Sequence, residues 1–147
     1  MWLRVFGATD EVPDQAALVA CLAGASLTFA ADETGWYGVE IVRGQGSPVT
    51  VERFVAEEDG FRAELNAWAA YLETLDYSPH HVELMGRAIQ TRQLITIRKP
   101  IDHADEAGID RLCAGLARRL AEMTGGFYQI DGKGFFDAKG ELLVAEY

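Results

Sequence analysis

Cysteine is scarce in this chain. The two that occur, Cys21 and Cys113, form no CxxC and have no histidine or second cysteine near them in sequence. That spacing excludes a zinc knuckle. Both cysteines fall in apolar helical stretches, where free buried thiols suited to a reducing compartment are expected. No uninterrupted apolar run approaches the length of a membrane span. The start, Met-Trp-Leu-Arg-Val-Phe with Asp10 and Glu11 close behind, lacks the basic residues, apolar stretch and cleavage site of a signal peptide. A cytoplasmic location with no membrane association is the expectation.

Positive charge is also short. Thirteen Lys and Arg stand against 23 Asp and Glu, a formal net charge of −10. Nucleic-acid binders need a basic surface to displace counterions, so no nucleic-acid partner is expected. Motifs for phosphates and acyl transfer are missing as well. Arg43-Gly44-Gln45-Gly46 contains GxG but leads through Pro48 into another strand, not into the helix N-terminus that a pyrophosphate needs. Asp131-Gly132-Lys133-Gly134 sits in a hairpin. No Gly-x-Ser-x-Gly elbow exists, and Ser26, Ser47 and Ser78 occupy turn or cap contexts. No cofactor is expected.

What is present is a globular composition. At 147 residues, with 49% apolar and 10% aromatic content, one self-sufficient domain is expected. One pattern recurs. Leu3-Arg4-Val5-Phe6 and Ile95-Thr96-Ile97-Arg98 are short apolar runs, each followed by a helical stretch and further strands. Each segment then reaches Asp-x-x-Gly and two aromatics: Asp32, Gly35, Trp36, Tyr37, and Asp131, Gly134, Phe135, Phe136. This order suggests a duplicated β-α-β-β unit, at about 2–43 and 93–144, with a groove between the copies. A strand and a helical insertion at about 49–90 would separate them. The expected fold is a single α+β domain, 1–147, with a mostly antiparallel sheet.

Local signals place the elements. Pro13 opens a helix that runs to about Gly24. On the strand after the Asp32–Gly35 turn, Tyr37, Val39 and Ile41 alternate against Trp36, Gly38 and Glu40. Phe61, Leu65, Trp68, Leu72 and Leu75 form an apolar helical stripe, which predicts a well-buried Trp68. Ser78-Pro79 restarts a helix that should carry Val82, Met85 and Ile89 inward. Ile109, Leu112, Cys113, Leu116, Leu120 and Met123 share one face of a last long helix, which Gly125-Gly126 ends.

Three candidate sites follow. The aromatics Trp36, Tyr37, Tyr128, Phe135 and Phe136 cluster around the matched turns, as core or as an open surface for an apolar ligand or partner. Asp32 and Asp131 are matched in the same way, although Asp before a Gly-containing hairpin is ordinary turn chemistry. Between Glu52 and Asp76 lie seven acidic residues (Glu52, Glu57, Glu58, Asp59, Glu64, Glu73, Asp76) against Arg53 and Arg62. They make either a solvated face paired with the basic stretch 77–100 or a docking face for a basic protein, with Glu57, Glu58, Glu64 and Glu73 as its main charges. His80, His81 and Glu83, with Asp102 and His103 from another element, are the one set that a metal-assisted hydrolase could use. Surface or capping histidines are the plainer reading, so no metal is expected. The leading functional expectation is a non-catalytic acidic binding or interaction module. A small hydrolase and a structural subunit of an assembly, or a homodimer, are the alternatives.

Overall fold

The computed structural model describes every residue from Met1 to Tyr147. Eight strands form one sheet in the order β2-β3-β4-β5-β1-β6-β7-β8, with antiparallel pairing throughout. The strands are β1 (Trp2–Gly7), β2 (Ser26–Asp32), β3 (Gly35–Val42), β4 (Val49–Val55), β5 (Gln93–Arg98), β6 (Phe127–Ile130), β7 (Gly134–Phe136) and β8 (Leu142–Ala145). The helices are α1 (Gln15–Cys21), α2 (Phe61–Thr74), α3 (His81–Ile89) and α4 (Glu106–Thr124). The fold is a single α+β domain, as the sequence predicts. No helix is long and apolar enough to cross a membrane.

Alternation along the central strands divides the core in two. Leu3 and Val5 of β1, Ile95 and Ile97 of β5, and Tyr128 and Ile130 of β6 face α1 and α4. Their neighbours Phe6, Leu94 and Phe127 point the other way, toward α2 and α3. The α4 side buries Ile109, Leu112, Cys113, Leu116 and Leu120, the stripe seen in the sequence. Asp105 caps that helix by accepting from the Gly108 amide at 3.0 Å, and Gly125 ends it at φ 64°, a conformation that glycine adopts without strain.

The two recurring segments share their order of elements but not their places. After α1 the chain crosses to β2 at the outer edge of the sheet; after α4 it returns to β6, directly beside β1. The middle of the sheet is the β5–β1 pair, so no groove opens there between two side-by-side units. The matched aromatics diverge as well. Trp36 is buried on the α4 face, while Phe135 is buried on the α2 face.

Several local expectations need correction. A β-bulge between Ala30 and Ala31 shifts the β2–β3 register, pairing Ala30 with Gly38 but Ala31 with Trp36. Tyr37 becomes the extra residue, and Trp36 instead of Tyr37 joins Val39 and Ile41 in the core. The first helix starts at Gln15, because the Asp14 carboxylate accepts from the Ala17 amide at 3.0 Å and serves as its cap. Pro13 lies outside, and its carbonyl accepts from Trp36 Nε1 at 2.8 Å. Ser78 stands three residues before α3, where its hydroxyl accepts from the His80 amide at 3.2 Å and not from an amide of the helix itself. The same hydroxyl donates to the Leu143 carbonyl at 2.9 Å and ties the α2–α3 turn to β8. On α3 the buried residues are Leu84 and Ala88, whereas Val82 and Ile89 are exposed. Small Ala88 lets this helix approach closely, which fixes its rotation. Trp68 is only half-buried: its indole N–H reaches the edge of the helix and donates to Glu64 at 3.1 Å. Cys21 is exposed rather than buried.

Candidate functional site

The site begins with what α2 and α3 leave uncovered. Their shared core takes Phe6, Leu94, Phe127, Phe135 and Val144 from the sheet, with Phe54 at its margin, and nothing from β2 or β3. On that face, register aligns two further rows across the strands. One runs Thr28, Glu40, Thr50, Arg98, Trp2; the next runs Ala30, Gly38, Glu52, Thr96, Arg4. Thr28, Glu40, Glu52, Arg98 and Trp2 are exposed. An antiparallel sheet tolerates such a solvated face when its side chains are polar, and these mostly are.

Where the open rows meet the start of α2, a groove of about 370 Å³ forms. Its apolar wall is Trp2, Phe54, Phe61 and Leu94, and its acidic wall is Glu52, Glu58, Asp59 and Glu64. The acids reach this place through the β4–α2 turn. Glu58 folds back so that its carboxylate accepts from the Val55 amide at 2.6 Å, and Gly60 leads into the helix. Glu64 lies in the first turn of α2, where the helix dipole favours negative charge. A second depression on the same face brings Glu57 and Asp32 beside Glu52, Phe54, Glu58 and Tyr37. The pairing with residues 77–100 weighed from the sequence does not occur. Arg92 pairs with Asp10 at 3.3 Å, and Lys99 pairs with Glu106 and Asp110. None of Glu52, Glu57, Glu58, Asp59 and Glu64 forms an ion pair.

The one cation lining the groove, Arg4, is already occupied. It donates to Asp131 at 2.7 Å and to Gln129 at 2.9 Å, and its guanidinium lies 4.8 Å from the Trp68 ring centroid. The network continues from Gln129 to Glu146 at 2.9 Å and from Tyr71 to Glu146 at 2.6 Å. Burial works against charge on Asp131, but hydrogen bonds from Gln129 and Arg4 outweigh it and hold the carboxyl below its ordinary 3.8. Burial, with the Glu146 carboxylate adding to it, pushes the Tyr71 hydroxyl up to about 12. This network satisfies its own members and offers no free acid or base to a substrate.

The other predicted residues fall elsewhere. Trp36, Tyr128 and Phe135 are core, and Phe136 stacks on Tyr128 at 5.1 Å between ring centroids. Tyr37 alone of that cluster is open to solvent, at the edge of the groove region. Glu57, Glu58 and Glu64 gather on one face as expected, whereas Glu73 lies about two and a half turns along α2 from Glu64 and outside the groove. Asp32 binds its own turn through Thr34 at the sheet edge. Asp131 directly follows β6, five strand spacings or roughly 24 Å away, so the two aspartates do not converge.

The histidines do not assemble a metal centre. His80 and Glu83 approach to 3.9 Å at the start of α3, and His81 Nδ1 contacts the Ser78 carbonyl at 2.8 Å. His103 lies in the β5–α4 loop against the β3–β4 loop. Its Nδ1 accepts from the Asp105 amide at 3.0 Å, which leaves Nε2 to donate to the Arg43 carbonyl. Asp102 accepts from Ser47 at 3.0 Å and stays in that loop pair. No group of three His, Cys, Asp or Glu side chains is placed to hold a metal ion. Cys113 is packed under α4, and burial pushes its thiol up to about 11, away from nucleophilic use.

Sequence reasoning missed Glu52, Asp59, Trp2 and Phe54 as one site. Glu52 and Phe54 alternate with buried Val51 and Arg53, so period two marks them as the other face of β4. What no local signal reveals is that α2 stops short of them. No protein-family model, no curated protein and no solved structure matches the chain.

Proposed function

We propose that this protein is a non-catalytic binding module whose half-open sheet face docks a basic segment of a partner protein. One observation carries the reading: unpaired Glu52, Glu58, Asp59 and Glu64 stand around the apolar wall of a single groove. A lysine or arginine side chain suits that combination. Its methylene stem packs on Trp2, Phe54 and Phe61 while its charged head meets the carboxylates. Glu40, on the adjoining open row, extends the negative field along the sheet and would steer a basic partner toward the groove. The self-satisfied Arg4 network and the dispersed histidines support binding over hydrolysis.

The test uses a synthetic arginine- and lysine-rich peptide and the intact chain. Trp2, which lines the groove, gives a fluorescence signal. The expected result is saturable binding that weakens as salt rises and is lost in the combined variant Glu52→Lys, Glu58→Lys, Glu64→Lys. Equal binding by that variant overturns the proposal.

A further inference from the structure

The opposite side of the molecule carries the reverse charge. Between the end of α1, the end of β3 and the outer surface of α4 lies a groove of about 410 Å³, lined by Arg43, Arg111, Arg118 and Arg119. Four of the chain's thirteen basic residues therefore meet in one place, on a protein with a formal charge of −10. We propose that this groove binds a small molecule carrying two or more anionic groups, phosphate or carboxylate.

The pairing of the cations supports it. Four basic side chains elsewhere are engaged, Arg4 with Asp131, Arg92 with Asp10, Lys99 with Glu106 and Asp110, and Arg53 with Gln93, while Arg62, Arg87, Arg98, Lys133 and Lys139 have no ionic partner but do not line this groove. In this groove only Arg119 has an ionic partner, Glu122 at 3.7 Å. Arg43, Arg111 and Arg118 have none, although 23 acidic residues were available to supply one. Guanidinium forks without a carboxylate are matched to phosphate or carboxylate oxygens, which they bind two bonds at a time.

Gly115 shapes the groove, although Gly86 of α3 is equally free of internal contacts. Gly115 lies four residues from both Arg111 and Arg119, so it sits between them on one helix face. A glycine in mid-helix is destabilising relative to alanine. Nothing inside the protein requires it, because a Cβ there would meet no atom within 4 Å. It does leave the helix backbone bare at the groove floor, where a ligand can approach closely.

Charge also limits the size of the ligand. A nucleic acid or an acidic protein would feel the whole negative molecule. A small anion lies within about one Debye length, ~8 Å, of the arginines and is screened from more distant carboxylates. Leu22, Leu112 and Leu116 provide an apolar floor for the rest of such a ligand.

The experiment is an amide NMR titration of the intact, isotope-labelled chain with sodium pyrophosphate and, separately, citrate, at constant ionic strength. The proposal expects saturable shifts confined to residues 21–23, 43 and 111–122 with at least one of the two. Orthophosphate, with a single anionic group, should bind roughly tenfold more weakly than pyrophosphate if phosphate is the group recognised. Arg43→Ala and Arg111→Ala should each weaken binding by about tenfold, and Arg98→Ala, on the other face, should leave it unchanged. Gly115→Leu keeps every charge but fills the groove. It should raise the unfolding temperature and abolish the shifts. The proposal is overturned if neither anion saturates, if shifts spread equally to Arg98, Lys133 and Lys139, or if binding survives Gly115→Leu with both arginine substitutions. The groove is remote from the carboxylates of the open sheet face, so this outcome is independent of the one tested there.

Discussion

The two faces of the sheet are finished differently. Under α1 and α4 the core extends from Leu27 and Phe29 of β2 across to Ile130 of β6, so nearly every strand contributes. Under α2 and α3 it stops at Phe54 of β4, and the rows beyond are threonine, glutamate and glycine. The sequence of each strand already agrees with this division. β4 reads apolar on one side, at Val49 and Val51, and polar on the other, at Thr50 and Glu52. The open face is therefore a feature of the strands themselves and not merely a gap left by short helices. Its polarity makes the bare surface compatible with water, and its carboxylates give that surface a negative potential.

The largest expected effects sharpen this contrast through stability. Trp36 is 1% exposed on the fully covered face and bonds the Pro13 carbonyl. Trp36→Ala should cost about 4 kcal/mol, measured by urea denaturation. Trp68, its counterpart under α2, is half-buried, and Trp68→Ala should cost about 2 kcal/mol. Equal losses would erase the distinction between the faces.

Next is Gln93, fully buried, which accepts from Arg53 Nε at 2.8 Å and donates to the Thr9 and Glu11 carbonyls. Burial pulls the Arg53 guanidinium below its ordinary value, but the group remains charged and needs its partners. Gln93→Leu leaves Arg53 Nε without an acceptor, with only the longer bonds to the Trp36 and Asp10 carbonyls remaining, and should cost about 2–3 kcal/mol. A loss under about 0.5 kcal/mol would mean that the Thr9–Pro13 segment is held by something else.

A smaller effect separates the Arg4 network from the open groove by pH. The Asp131 carboxyl is held below 3.8, so its contribution is fully present above pH 3.8 and is lost as pH falls through the lowered folded value. Asp131→Asn should be less stable than the wild type at pH 6 and closer to it at pH 3. A constant difference at both values would remove the carboxylate's charge from the account. The smallest change expected is a gain. Gly86 is exposed in α3, and a Cβ there meets nothing, so Gly86→Ala should stabilise by about 0.5–1 kcal/mol.

Much of this was legible in residue order. The stripes of α2 and α4 were clear because their apolar residues repeat near 3.6, and the antiparallel class followed from short strands and Gly-rich turns. The rotation of α3 was not legible because Leu84, Ala88, Met85, Ile89 and Val82 spread over nearly half of the helix circumference, and only contact with α2 selects Leu84 and Ala88. Trp36 and Tyr37 exchanged roles because a bulge reverses alternation without marking the sequence. The acidic block was visible as charge. Its groove was not, since Trp2 and Glu52 are neighbours only through the β4-β5-β1 pairing.

The most direct test of the open face as a binding surface is a salt-dependent titration of the basic peptide against wild type, the triple reversal Glu52→Lys, Glu58→Lys, Glu64→Lys, and Glu73→Lys. Glu73 sits on the same helix outside the groove, and its reversal changes net charge without touching the site. The account predicts that the triple variant loses binding while Glu73→Lys keeps affinity within about twofold, because the outlying charge is largely screened at ~0.15 M salt. Loss of affinity in proportion to net charge alone, whichever glutamate is reversed, would contradict it.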